Sequence, residues 1–171
     1  MKKDNSLAMV TVFGLGHLRP APGTWGSLPP VALAAVLVAV GLGPAGHPVI
    51  YNLALAAVVI VFTLACAIKG DLAEAVFLRK DPSQVVADET AGQALALMFL
   101  PAAAVATPAL AAFTLIYAFL AFRIMDIIKP WPAFQIQKIA GGWGVVLDDL
   151  VAGFYAFVLV QVISRVWLGV W

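Results

Sequence analysis

Charge is what this sequence has least of. Asp, Glu, Lys and Arg make up 11% of its 171 residues, whereas soluble domains carry about 25%. With 63% hydrophobic residues and a mean hydropathy of +1.01, the chain is expected to be an all-α, polytopic membrane helix bundle, because lipid offers no partner to exposed backbone groups. The net charge of +1 provides no field for nucleic acid. One cysteine, Cys66, excludes an intrachain disulfide; it lies in an apolar run and should pack as a small hydrophobe. Other absences exclude chemistries. No G-K-[ST] makes a Walker A loop, and no D-x-D pair serves an aspartyl-phosphate phosphatase. Leu72 stands where a cysteine phosphatase built on Cys66 would need arginine. His17 and His47 are isolated, one at a turn and one in a loop on the far side, so no phosphohistidine route is offered. No internal repeat supports an inverted-repeat transporter. The N-terminal apolar stretch is short and broken by glycine, with no prompt A-x-A site, so it is expected to be retained.

What the chain does have is long apolar runs. A span needs about 20 such residues. Five spans are expected within one membrane-embedded domain over 1–171: Leu28–Gly43, capped by Ser27 with Pro29 and Pro30 in its first turn; Val49–Ile68; a third ending near Thr107, interrupted at Pro101; Ala109 to about Ile128; and Leu150–Leu168, with Trp167 and Trp171 as interfacial anchors. With five spans, nine of the ten Lys and Arg residues fall on one side and only Arg165 lies near the other. The positive-inside rule makes the common side cytoplasmic.

All the acids map to that same side. Asp88-Glu89 opens the third span and Asp148-Asp149 opens the fifth, while Asp126 lies in the last turn of the fourth. One such pair at a helix N-terminus would be an ordinary dipole pair. Two pairs and a single acid at one depth are better explained by a bound divalent cation, for a bare carboxylate in apolar sequence is costly. Mg²⁺ prefers oxygen ligands and keeps waters for a phosphate substrate. Beside the acids, GLGHLRPAPGTWGSL (14–28) ends at a helix start, where backbone N–H groups near Gly23, Thr24, Gly26 and Ser27 could face an anion. In FRIMDIIKPWP (122–132), Arg123 and Asp126 share a helical face. Arg123 could be an interfacial residue with Asp126 as its ion-pair partner, or it could grip a phosphate while Asp126 binds metal.

Four motifs in order, PAPGTWGSL (20–28), DPSQVVADETAG (81–92), FRIMDIIKPWP (122–132) and GGWGVVLDDLVAG (141–153), resemble the phosphatidylglycerophosphatase A family. The resemblance implies a Mg²⁺-dependent lipid phosphatase of the bacterial inner membrane, its site facing the cytoplasm, that converts phosphatidylglycerophosphate to phosphatidylglycerol during phospholipid biosynthesis. Its partner would be the phospholipid substrate in the bilayer. It implies that Asp88, Glu89, Asp126, Asp148 and Asp149 include the metal ligands and a general base. Gly23, Thr24, Ser27, Arg123 and Lys129 would serve the substrate phosphate. Arg19 and His17 fall outside the pattern. A metal-activated water and an aspartyl-phosphate intermediate both stay open. Two other classes are weighed. A CDP-alcohol-type phosphotransferase lacks its D-G-x₂-A-R…G-x₃-D-x₃-D spacing here. A divalent-cation transporter would need polar groups at mid-membrane, and the spans carry almost none.

Overall fold

The structure is a computed structural model; it describes residues 5–139 and 141–169. It is helical, with no strand among the described residues. The elements are α1 (Pro22–Ala39), α2 (Pro48–Phe77), α3 (Ala87–Ala96), α4 (Pro108–Ile128), a short α5 (Ala133–Ile136) and α6 (Gly142–Leu168), with 3₁₀ turns at Asn5–Leu7, Leu15–His17 and Ala102–Val105. Four of these helices, α1, α2, α4 and α6, are long and apolar enough to cross a membrane. Their outer faces leave Leu53, Ile60, Ile116, Leu120, Phe154 and Val162 exposed, which suits a surface solvated by acyl chains. Trp167, an expected interfacial anchor, is exposed near the end of α6; Trp171 lies outside the described residues.

Three boundaries differ from the sequence reading, each for a physical reason. First, α1 begins at Pro22 rather than after Ser27. Pro22 has its φ preset for a first helical position. Ser27 is therefore inside the helix, its hydroxyl donating to the Gly23 carbonyl at 2.8 Å. Pro30 cannot donate to the Gly26 carbonyl four residues back; the Thr90 hydroxyl of α3 does so instead, at 2.6 Å.

Second, the third expected span is not a spanning helix. α3 covers 10 residues, about 15 Å at the helical rise. Residues 97–107 then run irregularly to the start of α4. Such backbone is tolerated in a membrane protein only where protein surrounds it and satisfies it. Here the Leu97 carbonyl accepts from Tyr51 Oη at 3.1 Å, the Phe99 N–H donates to Asn52 Oδ1 at 2.7 Å, and the Met98 carbonyl accepts from Gln161 at 3.0 Å. The detour still delivers the chain to Thr107, whose hydroxyl caps α4 by accepting from the Leu110 N–H.

Third, α6 starts at Gly142, about two turns before Leu150. Its N-terminus is capped from α2, where Asp71 Oδ1 accepts the Gly142 N–H at 3.0 Å. Asp148 and Asp149 are consequently the seventh and eighth residues of the helix and do not sit in its first turn. The helix-end dipole that would have eased their charge is too far away to do so.

The centre of the bundle is α3. Ala87, Asp88, Thr90, Ala91, Gly92, Gln93, Ala94 and Ala96 are all buried, between α1, α2, α4 and α6. The N-terminal segment closes its start: the Val10 carbonyl accepts from the Val86 and Ala87 N–H groups at 2.9 and 3.2 Å.

Candidate active site

Two glycine crossings assemble the acidic residues. Where α3 meets α6, a β-carbon on Gly92 would strike the Phe122 ring and the Asp149 carbonyl, and one on Gly153 would strike the Gly92 backbone. Gly92 lies about one turn beyond Glu89, and Gly153 about one turn beyond Asp149. The closest approach of the two helices is therefore next to the carboxylates. Where α2 meets α6, a β-carbon on Gly70 would strike the Gly142 backbone, and one on Gly142 the Cys66 carbonyl. That second crossing sets the depth of α6.

The result divides the five acids into two groups. Asp88, Glu89 and Asp149 each offer a carboxylate oxygen, and these oxygens lie within 4.8 Å of one another. Asp88 and Asp149 are 5% and 3% exposed, so the charges are not solvated. Asp88 Oδ1 and Glu89 Oε2 are buried with no hydrogen-bond partner. Burial, with the neighbouring Glu89 charge next, pushes the Asp88 carboxyl well above its usual range. Burial likewise pushes Glu89 up to about 8, against an opposing hydrogen bond with Asp88. Three crowded carboxylates, two of them with an orphaned oxygen, fit an oxygen-preferring divalent cation such as Mg²⁺.

The other two acids belong to a cationic layer. Lys129 follows the last turn of α4 in a left-handed conformation, φ 47°, which turns it back toward α6. Its Nζ lies 2.6 Å from Asp148 Oδ2, 2.9 Å from Asp149 Oδ1 and 3.2 Å from Asp126 Oδ1. Burial works against the ammonium, but Asp149, Asp126 and Asp148 together outweigh it and raise Lys129 above the usual lysine range. Asp126 also takes Arg123 Nη1 at 2.8 Å. Asp149 is thus the shared member, reaching both the carboxylate triad and Lys129.

The first turn of α1 completes the site. Arg123 Nη1 donates to Ser27 Oγ at 3.4 Å. A β-carbon at Gly23 would collide with Glu89 Oε1 and come within 3.0 and 3.1 Å of the Arg123 guanidinium nitrogens, so a larger residue here would displace the ends of both site side chains. Thr24 is partly buried in the same turn, its N–H donating to the Ala21 carbonyl at 3.0 Å. All ten residues singled out from sequence therefore gather at one end of the bundle.

Two participants were not anticipated. Asp71 caps α6 from α2; nothing in its local sequence marks that role. Gln93, one turn along α3 from Glu89, is fully buried with neither amide atom hydrogen-bonded. A polar residue at helical spacing from an acid pair was a readable signal. Of the two histidines, His47 precedes α2 at the far end and His17 packs edge-on to Phe77 with ring centroids 6.2 Å apart.

Comparison with known proteins bears on what such a site does. The profile of the family described as Phosphatidylglycerophosphatase A matches residues 8–164. Phosphatidylglycerophosphatase A of Haemophilus influenzae is 32% identical over 157 residues, covering 89% of this chain and 84% of that protein. A Bacteroides thetaiotaomicron protein named "Putative phosphatidylinositol-3-phosphatase" is 34% identical over 165 residues, 95% of this chain and 96% of that protein. Phosphatidylglycerophosphatase A of Escherichia coli is 34% identical over 92 residues, 53% of this chain and 49% of that protein. No solved structure matches significantly.

Proposed function

Because the chain belongs to the phosphatidylglycerophosphatase A family, we propose that this phosphatase hydrolyses the terminal phosphomonoester of phosphatidylglycerophosphate with Mg²⁺, yielding phosphatidylglycerol and phosphate at the cytoplasmic face of the bacterial inner membrane. The observation that carries the reading is the triad of Asp88, Glu89 and Asp149, within 4.8 Å of one another, beside a guanidinium and a glycine-opened helix start. In this reading those three residues hold Mg²⁺. When bound, the ion would neutralise phosphoryl charge and lower the pKa of a coordinated water.

The remaining roles fall to the chain's own groups. Arg123 is held by Asp126 and Ser27 through Nη1, which leaves its other N–H groups for phosphoryl oxygens, the bidentate geometry that suits this side chain. The first turn of α1, open at Gly23, adds backbone N–H groups and the positive end of a helix dipole. Lys129 ion-pairs with Asp148 and Asp149 and fixes their rotamers. A carboxylate of this cluster accepts the proton of the attacking water as the glycerol oxygen departs. Arg79, Lys80, Arg123, Lys129 and Lys138 lie at this end of the bundle and Arg165 toward the other, which supports a cytoplasmic orientation by the positive-inside rule. The few polar groups of the far half argue against a cation transporter: Tyr117, Ser164, Gln161 and Arg165 hydrogen-bond to one another or to backbone.

The test is phosphate release by purified protein in mixed micelles, with phosphatidylglycerophosphate, phosphatidic acid, phosphatidylinositol 3-phosphate and glycerol 3-phosphate at equal concentration. The expected order places phosphatidylglycerophosphate first and soluble glycerol 3-phosphate last. EDTA abolishes release and Mg²⁺ restores it. A faster rate on the inositol lipid would transfer the headgroup assignment to that substrate, and no release from any lipid would reject the phosphatase reading.

A further inference from the structure

Beside the acidic centre lies a second concavity, of opposite sign. Arg79, Lys80 and Asp81 from the loop after α2, and Phe134, Gln137 and Lys138 from the α5 region, line a cavity of about 420 Å³. The two segments are far apart in sequence but are tied together at its floor. Lys80 Nζ donates to the Lys138 carbonyl at 3.3 Å, and Gln137 Nε2 donates to Asp81 Oδ2 at 3.4 Å. The Lys138 ammonium rests over the Phe134 ring, 5.0 Å from its centroid.

These cations differ from those of the acidic centre. Arg123 and Lys129 are neutralised by Asp126, Asp148 and Asp149. Arg79, Lys80 and Lys138 form no ion pair among the described residues; Asp81 lines the cavity with them, and Glu74 stands behind it, accepting the Asp81 N–H at 3.1 Å, so three cations meet two acids. The cavity therefore carries an uncompensated positive charge and should attract an anion. Its rim is apolar, since Leu78, Phe134 and Ile139 are exposed. Cations above exposed apolar side chains are the pattern of the lipid headgroup level. Asp81 joins the two sites: it lines the cavity, and it lies on the loop that leads directly into Asp88 and Glu89 at the start of α3.

We infer that the Arg79–Lys80–Lys138 cavity is a second anion subsite, which takes the phosphodiester of the lipid whose terminal monoester lies at Asp88, Glu89 and Asp149. The inference rests on the phosphatase reading above and adds to it how the enzyme measures headgroup length. Phosphatidylglycerophosphate carries two phosphate groups separated by a glycerol, and the two sites, connected by the short loop from Asp81 to Asp88, are chemically distinct. One suits a monoester through metal and guanidinium, the other a singly charged diester through flexible, exposed ammonium and guanidinium groups. Phosphatidic acid has only the monoester and leaves the second subsite empty. Lys129, the other lysine near the headgroup, is fully engaged by carboxylates and cannot serve here.

The test uses the full-length protein, as Lys80→Ala/Lys138→Ala and as Arg79→Ala, in micelles of neutral detergent and phosphatidylcholine. The residues are exposed, so thermal unfolding of both variants should match the parent. The KM for phosphatidylglycerophosphate should rise about tenfold in the double variant, as charge-assisted contacts to one phosphate are lost, while kcat stays within about twofold. The KM of phosphatidic acid, or its inhibition constant where its turnover is slow, should not change. An equal loss for both lipids, or for neither, overturns the subsite. A parallel series contains added phosphatidylglycerol. If that lipid alters turnover of both substrates in the parent but not in the variants, the cavity holds a neighbouring lipid and the inference is wrong. Parent protein that releases no phosphate from any lipid rejects the phosphatase reading itself, a result separable from every variant effect.

Discussion

Lys129 shows why the five acids should not respond alike to substitution. It touches Asp126, Asp148 and Asp149 but neither Asp88 nor Glu89, each of which keeps one buried oxygen without a hydrogen-bond partner. Asp88→Asn, Glu89→Gln and Asp149→Asn are each expected to lower kcat by about 100-fold or more, the scale on which losing a metal ligand or base acts, while the protein still inserts and purifies. Each should also raise the Mg²⁺ concentration for half-maximal rate. Lys129→Met should behave differently. It leaves the buried Asp148 and Asp149 uncompensated while Arg123 still holds Asp126, so it should lower the thermal midpoint as well as the rate, since breaking a buried charge pair costs about 3–5 kcal/mol. Ligand variants with normal Mg²⁺ dependence would remove the ion from the triad. An unchanged melting temperature in Lys129→Met would show that its ion pairs are solvated. At this scale the sequence was informative about residue types and silent about partners. Asp-Asp and Asp-Glu beside apolar runs mark chemistry, but which carboxylate meets the lysine and which meets an ion depends on distances of a few ångströms between helices.

Among the elements, α3 is the one whose geometry the site depends on. It is too short to span a bilayer and rich in alanine and glycine, so its neighbours can approach its backbone. The Gly92–Gly153 crossing lies about one turn from the acid pairs, and it keeps Asp88 and Glu89 within reach of Asp149. Gly92→Val should therefore abolish activity without touching a carboxylate. The added side chain meets the Phe122 ring and the Asp149 carbonyl, and overpacking of this kind costs about 1–3 kcal/mol or more. Gly41→Ala is a control for backbone strain, since its φ is 81° but open space surrounds it; it should cost stability while sparing catalysis. Phosphate release and thermal unfolding of both variants decide the matter, and a fully active Gly92→Val would show that the helices can separate without harm. Hydropathy could not reveal α3, because residues 91–122 read as one apolar stretch divided by prolines. The break after Ala96 is made tolerable by Tyr51, Asn52 and Gln161, side chains that belong to other helices.

For the molecule as a whole, the one-sided charge distribution predicts its orientation. Single cysteines at Lys80 and Gln137, in a Cys66→Ser background, should react with an impermeant thiol reagent only from the cytoplasmic side, and one at Gly46 only from outside. Labelling of Gly46 and Gln137 from the same side would contradict the arrangement of α2, α4 and α6 seen here. Cys66 is fully buried, as expected for a thiol in an apolar run, so its replacement by serine should be checked for retained activity before labelling.

Composition and motif order by themselves determined that this is a membrane-embedded helical protein, which end carries the charges, and that the chemistry is that of a lipid phosphatase. The first two follow from how much apolar surface the chain must hide and from where its charged residues stand, quantities a linear string contains in full; the third came through the resemblance of four motifs to a known family. Helix starts were set elsewhere. Pro22 and Thr90 decide α1, and Asp71 decides α6, through contacts that no local periodicity encodes. Only the tertiary structure separated the triad of Asp88, Glu89 and Asp149 from the Lys129 layer, because glycine crossings between helices set carboxylate distances and hydrophobic patterning does not. It also brought Arg79, Lys80 and Lys138 to one concavity. In the sequence these were loop cations obeying the positive-inside rule. In the fold, with Asp81 as the acid that lines the same cavity, they surround space enough for a phosphate.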